Sequence, residues 1–267
     1  MSVIDIPLII RGRIVEGPRA EFGGRRSGVQ LAATDVRPHV GALPLPRGSD
    51  LADLYTLKFD QIVDYLLELG TRLDLDRNAH LQAAYEASRV VSGMTEGILA
   101  NVYANVGRFF SKPVIHDWVE RTVGIQYLEG WVPRRFPQGG QASVRAFGAR
   151  GVHVVAGNSP VVSMLTIAQN AITRSDAIIK APSNDPLTAV AIARTMIEMA
   201  PDHPLTRHLS VAYWKGGDAV VEDALYQPRN IEKLVAWGGL ASITHIAKYV
   251  QPGIDLITLD PKLSSTI

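Results

Sequence analysis

The sequence predicts an α/β fold: a parallel, doubly wound sheet with N-terminal helices packed on it and a protruding β-arm. Three observations predict this. Residues 151–267 alternate strand-length apolar runs with stretches of helical periodicity. Two of those runs, 152–156 and 177–180, end in polar, Gly and Pro residues and lead into helix-like segments, as strand ends of a parallel sheet do. Residues 51–123 instead repeat apolar side chains at three-to-four spacing.

In chain order, residues 4–10 and 12–16 read as short strands, with Pro7 pointing to a sheet edge. Gly23-Gly24 and Pro44-Leu45-Pro46 mark loops. Phe59, Ile62, Val63, Leu66 and Leu67 define a first helix, with Gly70 as its stop. Leu81, Tyr85 and Val90 suggest a second, Ile98, Val102 and Val106 a third, and residues 114–123 a fourth. The stretch 1–123 is thus a packing region. Residues 124–150 carry Pro133, Pro137, Gly139-Gly140, Gly148 and four arginines, with sparse, alternating apolar side chains; they read as a β-arm turning at Gly139-Gly140. Within 151–267, strands fall near 152–156, 176–180, 208–214, 232–236 and 255–259. Helices fall near 160–173, 186–200, 218–226 and 240–249.

Composition narrows the partners. The 267 residues are 46% hydrophobic and 20% charged, and Lys+Arg 27 against Asp+Glu 26 gives +1, with no reason to expect nucleic acid or an acidic membrane surface. No apolar run reaches membrane-spanning length. The start, apolar but interrupted by Asp5 and Pro7 with its arginines afterwards, lacks signal-peptide charge order, so the cytoplasm is the default. With no cysteine there is no disulfide, no thiolate metal site and no thiol nucleophile in these residues. The seven histidines are scattered without a ligand-like pair, so no metal is expected, and His153, mid-strand, reads as packing.

Chemistry points to the strand ends. In Gly157-Asn158-Ser159-Pro160 the plain reading is a helix start, with Ser159 as N-cap and Pro160 at the first helical position. A serine nucleophile elbow is excluded, because Pro160 lacks the N–H that would serve as oxyanion donor and Val161 stands where glycine is needed. A further reading makes the Asn158 amide a donor to an oxygen that becomes negative during acyl chemistry. Lys180 ends a buried run; it either snorkels to solvent or meets a ligand in the crevice at the strand ends. Trp214-Lys215-Gly216-Gly217 and Trp237-Gly238-Gly239 end the next two strands, and glycines there admit either a tight turn or backbone approach to a pyrophosphate. Neither dinucleotide nor P-loop glycine signature occurs at these turns.

Together these turns resemble the aldehyde dehydrogenase superfamily, most closely its acyl-CoA reductase branch, specifically over residues 151–262. The family's P-W-N-F-P-like turn, whose asparagine lines the oxyanion hole, is matched by Ala156-Gly157-Asn158-Ser159-Pro160. Its K-P-x-E-x-x-P-like turn is matched by Lys180-Ala181-Pro182-Ser183-Asn184-Asp185-Pro186, and its F-T-G-S turn by Ala236-Trp237-Gly238-Gly239. The resemblance implies a Rossmann-like cofactor domain over 151–267, Asn158 as the catalytic residue, and Ala156, Gly157, Lys180, Pro182, Ser183, Gly217, Gly238 and Gly239 as cofactor-binding residues. It also implies NADPH or NADH as cofactor, an acyl-CoA or other acyl-thioester as substrate, and a homo-oligomer formed through the arm at 124–150.

Three departures follow. Ser183 replaces the glutamate that grips the adenosine ribose, which removes repulsion against a 2′-phosphate and makes NADPH acceptable. Thr258-Leu259-Asp260-Pro261-Lys262 replaces E-L-G-G-K, so the water-activating base is missing, as suits a reductase rather than a hydrolysing dehydrogenase. The family's nucleophilic cysteine lies in a domain after the last strand, so the chain is expected to be part of a longer enzyme. The alternatives are a non-catalytic nucleotide-binding or interaction module and an acyl-phosphate reductase on the same scaffold.

Overall fold

The computed structural model describes residues 2–24 and 28–259. Five short strands open the chain: β1 (Ser2–Ile6), β2 (Leu8–Ile10), β3 (Arg13–Val15), β4 (Arg19–Gly23) and β5 (Val29–Thr34). Helices α1 (Phe59–Arg72), α2 (Ala79–Val91), α3 (Glu96–Ala104), α4 (Lys112–Thr122) and α5 (Ile125–Glu129) follow, then the ribbon β6 (Val132–Arg135) and β7 (Gln141–Val144). The rest alternates: β8 (Arg150–Val154), α6 (Val161–Ile172), β9 (Asp176–Lys180), α7 (Thr188–Met199), α8 (Pro204–Arg207), β10 (Leu209–Ala212), α9 (Ala219–Leu225), β11 (Lys233–Trp237), α10 (Leu240–Ala247) and β12 (Asp255–Leu259).

The main sheet runs β12-β11-β8-β9-β10-β2-β3. Its first five strands are parallel, and β2 and β3 extend it antiparallel. The parallel part of the sheet begins with β8, steps outward through β9 and β10, then returns to the other side of β8 for β11 and β12. The direction reverses between β8 and β11, which is where doubly wound sheets bind their ligands.

Strand alternation sorts the core into two faces. Val152, Val154, Ile178, Ala212, Trp214, Leu234 and Ala236 point to one face, covered by Val221 and Leu225 of α9 and Ile246 of α10. Ala177, Ile179, Val211 and Tyr213 point to the other, covered by α6 and α7 and, beyond them, by the N-terminal helices. At the amino edge ion pairs take over. Arg150 grips Glu232, Arg11 bonds Asp176 at 2.6 and 3.0 Å, and His208 lies between Asp176 at 2.9 Å and Asp53 at 2.8 Å.

Several expectations need correction. Pro7 separates two strands in different places: β1, an edge strand paired with β5 in a three-stranded sheet, and β2, which pairs on both sides in the main sheet. The β4–β5 pair has no counterpart in the sequence reading, although β5 buries the alternating Val29, Leu31 and Ala33. The buried faces of α3 and α4 are Leu99–Tyr103 and Ile115–Val119 positions, whereas Ile98, Val114 and Val90 are exposed; isolated apolar side chains on surfaces are ordinary and misled the periodicity. The arm is shorter than 124–150, since residues 125–129 form α5. Its turn is at Gly139-Gly140, whose φ values of 89° and 95° explain the glycines. Residues 260–262 of the 258–262 segment lie outside the described residues.

Candidate functional site

The carboxyl ends of β11, β8 and β9 are adjacent, so their turns form one rim. Val154 pairs with Lys180, and Ala236 with Val154. Two turns touch directly. A Cβ placed on Gly157 would collide with Asn184 Oδ1 and lie 2.9 Å from Pro182 Cγ. Any side chain at 157 would force Asn184 aside and crowd the Pro182 ring, so glycine suits the close approach of the 156–160 and 181–186 turns. The turn that carries Asn158 and the turn that follows Lys180 are therefore packed together at one end of the sheet.

Asn158 is exposed at the tip of its turn. Ser159 Oγ accepts from Val161 N at 3.4 Å, and Pro160 is already in helical geometry where α6 begins. Lys180 holds its Nζ 5.4 Å from the centroid of the buried Trp214 ring, so the ammonium stays at the crevice on the α9–α10 face. Pro182 and Ser183 are half-buried on the same turn, and Ala156 is half-buried on the facing one. Gly238 and Gly239 lead into α10, which has neither a capping side chain nor an acidic residue in its first turn. Its leading N–H groups thus offer positive partial charge beside β8. Gly217 stands apart, beyond β9. Its φ of 87° requires glycine, and its N–H donates to Glu222 at 3.2 Å, which commits that amide.

Sequence reasoning missed three groups here. Glu222 is a fully buried carboxylate on α9, bonded by Trp214, Gly217 and His245; its signal was a Glu between Val221 and Leu225 on the apolar face. Asn184 is the wall against Gly157. Asp185 is buried, accepts from Thr188 Oγ1 at 2.5 Å and from Ser88 Oγ at 3.4 Å, and leaves Oδ2 unpartnered among the described residues. Burial pushes its carboxyl up to about 6. His153 bonds Asn170 at 3.1 Å beneath α6, and desolvation lowers it to about 4, the profile of a neutral packing histidine. A depression of about 420 Å³ lined by Tyr55, Phe147, Ala149 and Glu232 lies at the opposite, amino end of the sheet and has no part in this rim.

Residues 54–267 match the family model described as Acyl-CoA reductase (LuxC). The chain belongs to that family. Among its relatives, the long-chain acyl-protein thioester reductase of Photorhabdus luminescens is 31% identical over 216 residues, covering 79% of this chain and 43% of the relative. The reductase of the same description from Vibrio harveyi is 27% identical over 98% of this chain and 54% of its own length. This LuxC-family chain spans about half the length of the curated relatives it matches. Among solved structures, aldehyde dehydrogenase 21 from Physcomitrella patens superposes with a TM-score of 0.74 over 97% of this chain and 52% of its own, at 12% identity. The NADP-dependent glyceraldehyde-3-phosphate dehydrogenase of Bacillus halodurans superposes with a TM-score of 0.73, at 13% identity over 96% of this chain and 52% of its own. The family member therefore has the aldehyde dehydrogenase fold, with the Rossmann-like sheet described above. Among the described residues no helix is long and apolar enough to cross a membrane.

Proposed function

We propose that this chain is the cofactor-binding part of a reductase that converts a long-chain acyl thioester to an aldehyde, using NADPH or NADH. The observation that carries the reading is the contact of Gly157 with Pro182 and Asn184, which packs the turn bearing Asn158 against the turn that follows Lys180, next to the strand at which the sheet reverses. Family membership and the relatives' thioester-reductase names support the substrate class.

The residues present suit a dinucleotide. Lys180 would meet the adenosine ribose, and the uncapped start of α10 at Gly238-Gly239 would meet the pyrophosphate. Ser183 on the Lys180 turn offers a neutral hydroxyl, which tolerates a 2′-phosphate that a carboxylate would repel. When bound, the nicotinamide would supply the hydride. The reaction passes twice through a tetrahedral oxyanion: first when a thiol nucleophile displaces the carrier thiol, then when hydride reaches the acyl carbon and the aldehyde departs. Asn158 donates to that oxyanion in both steps. No cysteine occurs in these 267 residues, so the nucleophile is supplied from outside them.

The test uses the protein as encoded, following NADPH consumption with a long-chain acyl-CoA. Asn158→Ala lowers kcat about 10²-fold or more, with cofactor affinity within about twofold of native. Unchanged turnover in this variant contradicts the assignment. Preference for an acyl phosphate moves the substrate to that class, and cofactor binding without any turnover leaves a nucleotide-binding module.

A further inference from the structure

Glu222 is fully buried on α9, yet it serves three separate parts of the site. Its Oε1 accepts from Trp214 Nε1–H at 3.2 Å, both its oxygens accept from Gly217 N–H at 3.2 Å, and its Oε2 lies 2.6 Å from His245 Nε2 on α10. Trp214 carries the Lys180 ammonium on its ring face. Gly217 shapes the turn after β10, and α10 begins at the Gly238-Gly239 turn. A carboxylate at this depth persists only where donors surround it, and apolar packing would fill the same space. Its partners here are the Trp214 indole, the Gly217 N–H of the turn after β10 and His245 on α10.

We propose that Glu222 is a positioning residue for the cofactor: it fixes Trp214, the 214–217 turn and α10 so that Lys180 and the α10 amides meet a single dinucleotide. This rests on the nicotinamide reading above. Glu222 touches neither cofactor nor substrate. Its effect reaches the cofactor through the orientation of the Trp214 ring and the seat of α10 against α9, bridged by His245.

In the protein as encoded, Glu222→Ala weakens NADPH binding at least tenfold by isothermal titration, and the loss falls on the cofactor KM rather than on kcat. Transfer of the acyl group from thioester to enzyme, measured without cofactor, stays within about twofold, which shows that the fold and the acyl site survive. Glu222→Gln keeps an acceptor for Trp214 and Gly217 and recovers most of the affinity. His245→Ala cuts only the link to α10; it costs about threefold and remains readable if Glu222→Ala fails to fold. Native affinity in both alanine variants overturns the positioning role. So does an equal fall in affinity and acyl transfer, the mark of a merely structural residue. A native protein that binds no nicotinamide dinucleotide overturns instead the function on which this role depends.

Discussion

Two buried residues near the site titrate in opposite senses, and the signs can be worked out separately. The Asp185 carboxyl is raised by burial from 3.8 to about 6, with hydroxyls of Thr188, Ser88 and Tyr103 pulling it back. Its stabilising contribution is whole below 3.8 and is lost as pH rises through 6. His153 is lowered by burial from 6.5 to about 4, with Asn170 pulling the other way. Its contribution is whole above 6.5 and is lost as pH falls through 4. Each is on the order of 2–3 kcal/mol, so between pH 4 and 6 the two largely offset. Asp185→Asn leaves the histidine unopposed, and the melting temperature should climb with pH over this window more steeply than in the native protein. His153→Gln should tilt it the other way. Parallel melting curves for all three would contradict the burial of these groups. Neither behaviour was legible in the sequence. Two of the hydroxyls that face Asp185, those of Ser88 and Tyr103, come from α2 and α3, far from it in the chain.

At the scale of elements, the strand ends were readable because their chemistry is local. Glycine, proline and amide side chains after an apolar run specify a turn without reference to anything distant. The contact between two such turns was not readable. Gly157 looked like one more turn glycine, yet its φ is not among the positive values, and its reason is the close approach of Asn184 and Pro182. Gly157→Ala should therefore cost about 1–3 kcal/mol in chemical denaturation, as overpacking does. Adding Asn184→Ala should restore part of it, because the two residues share one contact. An alanine variant as stable as the native chain would show that the turns are not packed together. The N-terminal strands illustrate the converse. β2 is three residues long, and its place in the main sheet depends on β10, some two hundred residues later. No local pattern carries that pairing.

For the whole molecule, the strand–helix alternation over 151–259 predicted the doubly wound sheet because each βαβ unit crosses over with one hand, which leaves few topologies. The strand order then sets the reversal between β8 and β11, and with it the place of the crevice. The central claim is that this crevice holds a nicotinamide dinucleotide, with Lys180 on the nucleotide and Asn158 beside the reacting carbonyl. Equilibrium titration of NADPH into the native protein as encoded, Lys180→Ala and Asn158→Ala tests it most directly. Loss of a charged contact to the ribose should weaken Lys180→Ala about tenfold or more, since a charge-assisted hydrogen bond contributes about 1.5–3 kcal/mol. Asn158→Ala should bind as the native protein does. Equal affinity in all three proteins would contradict the account.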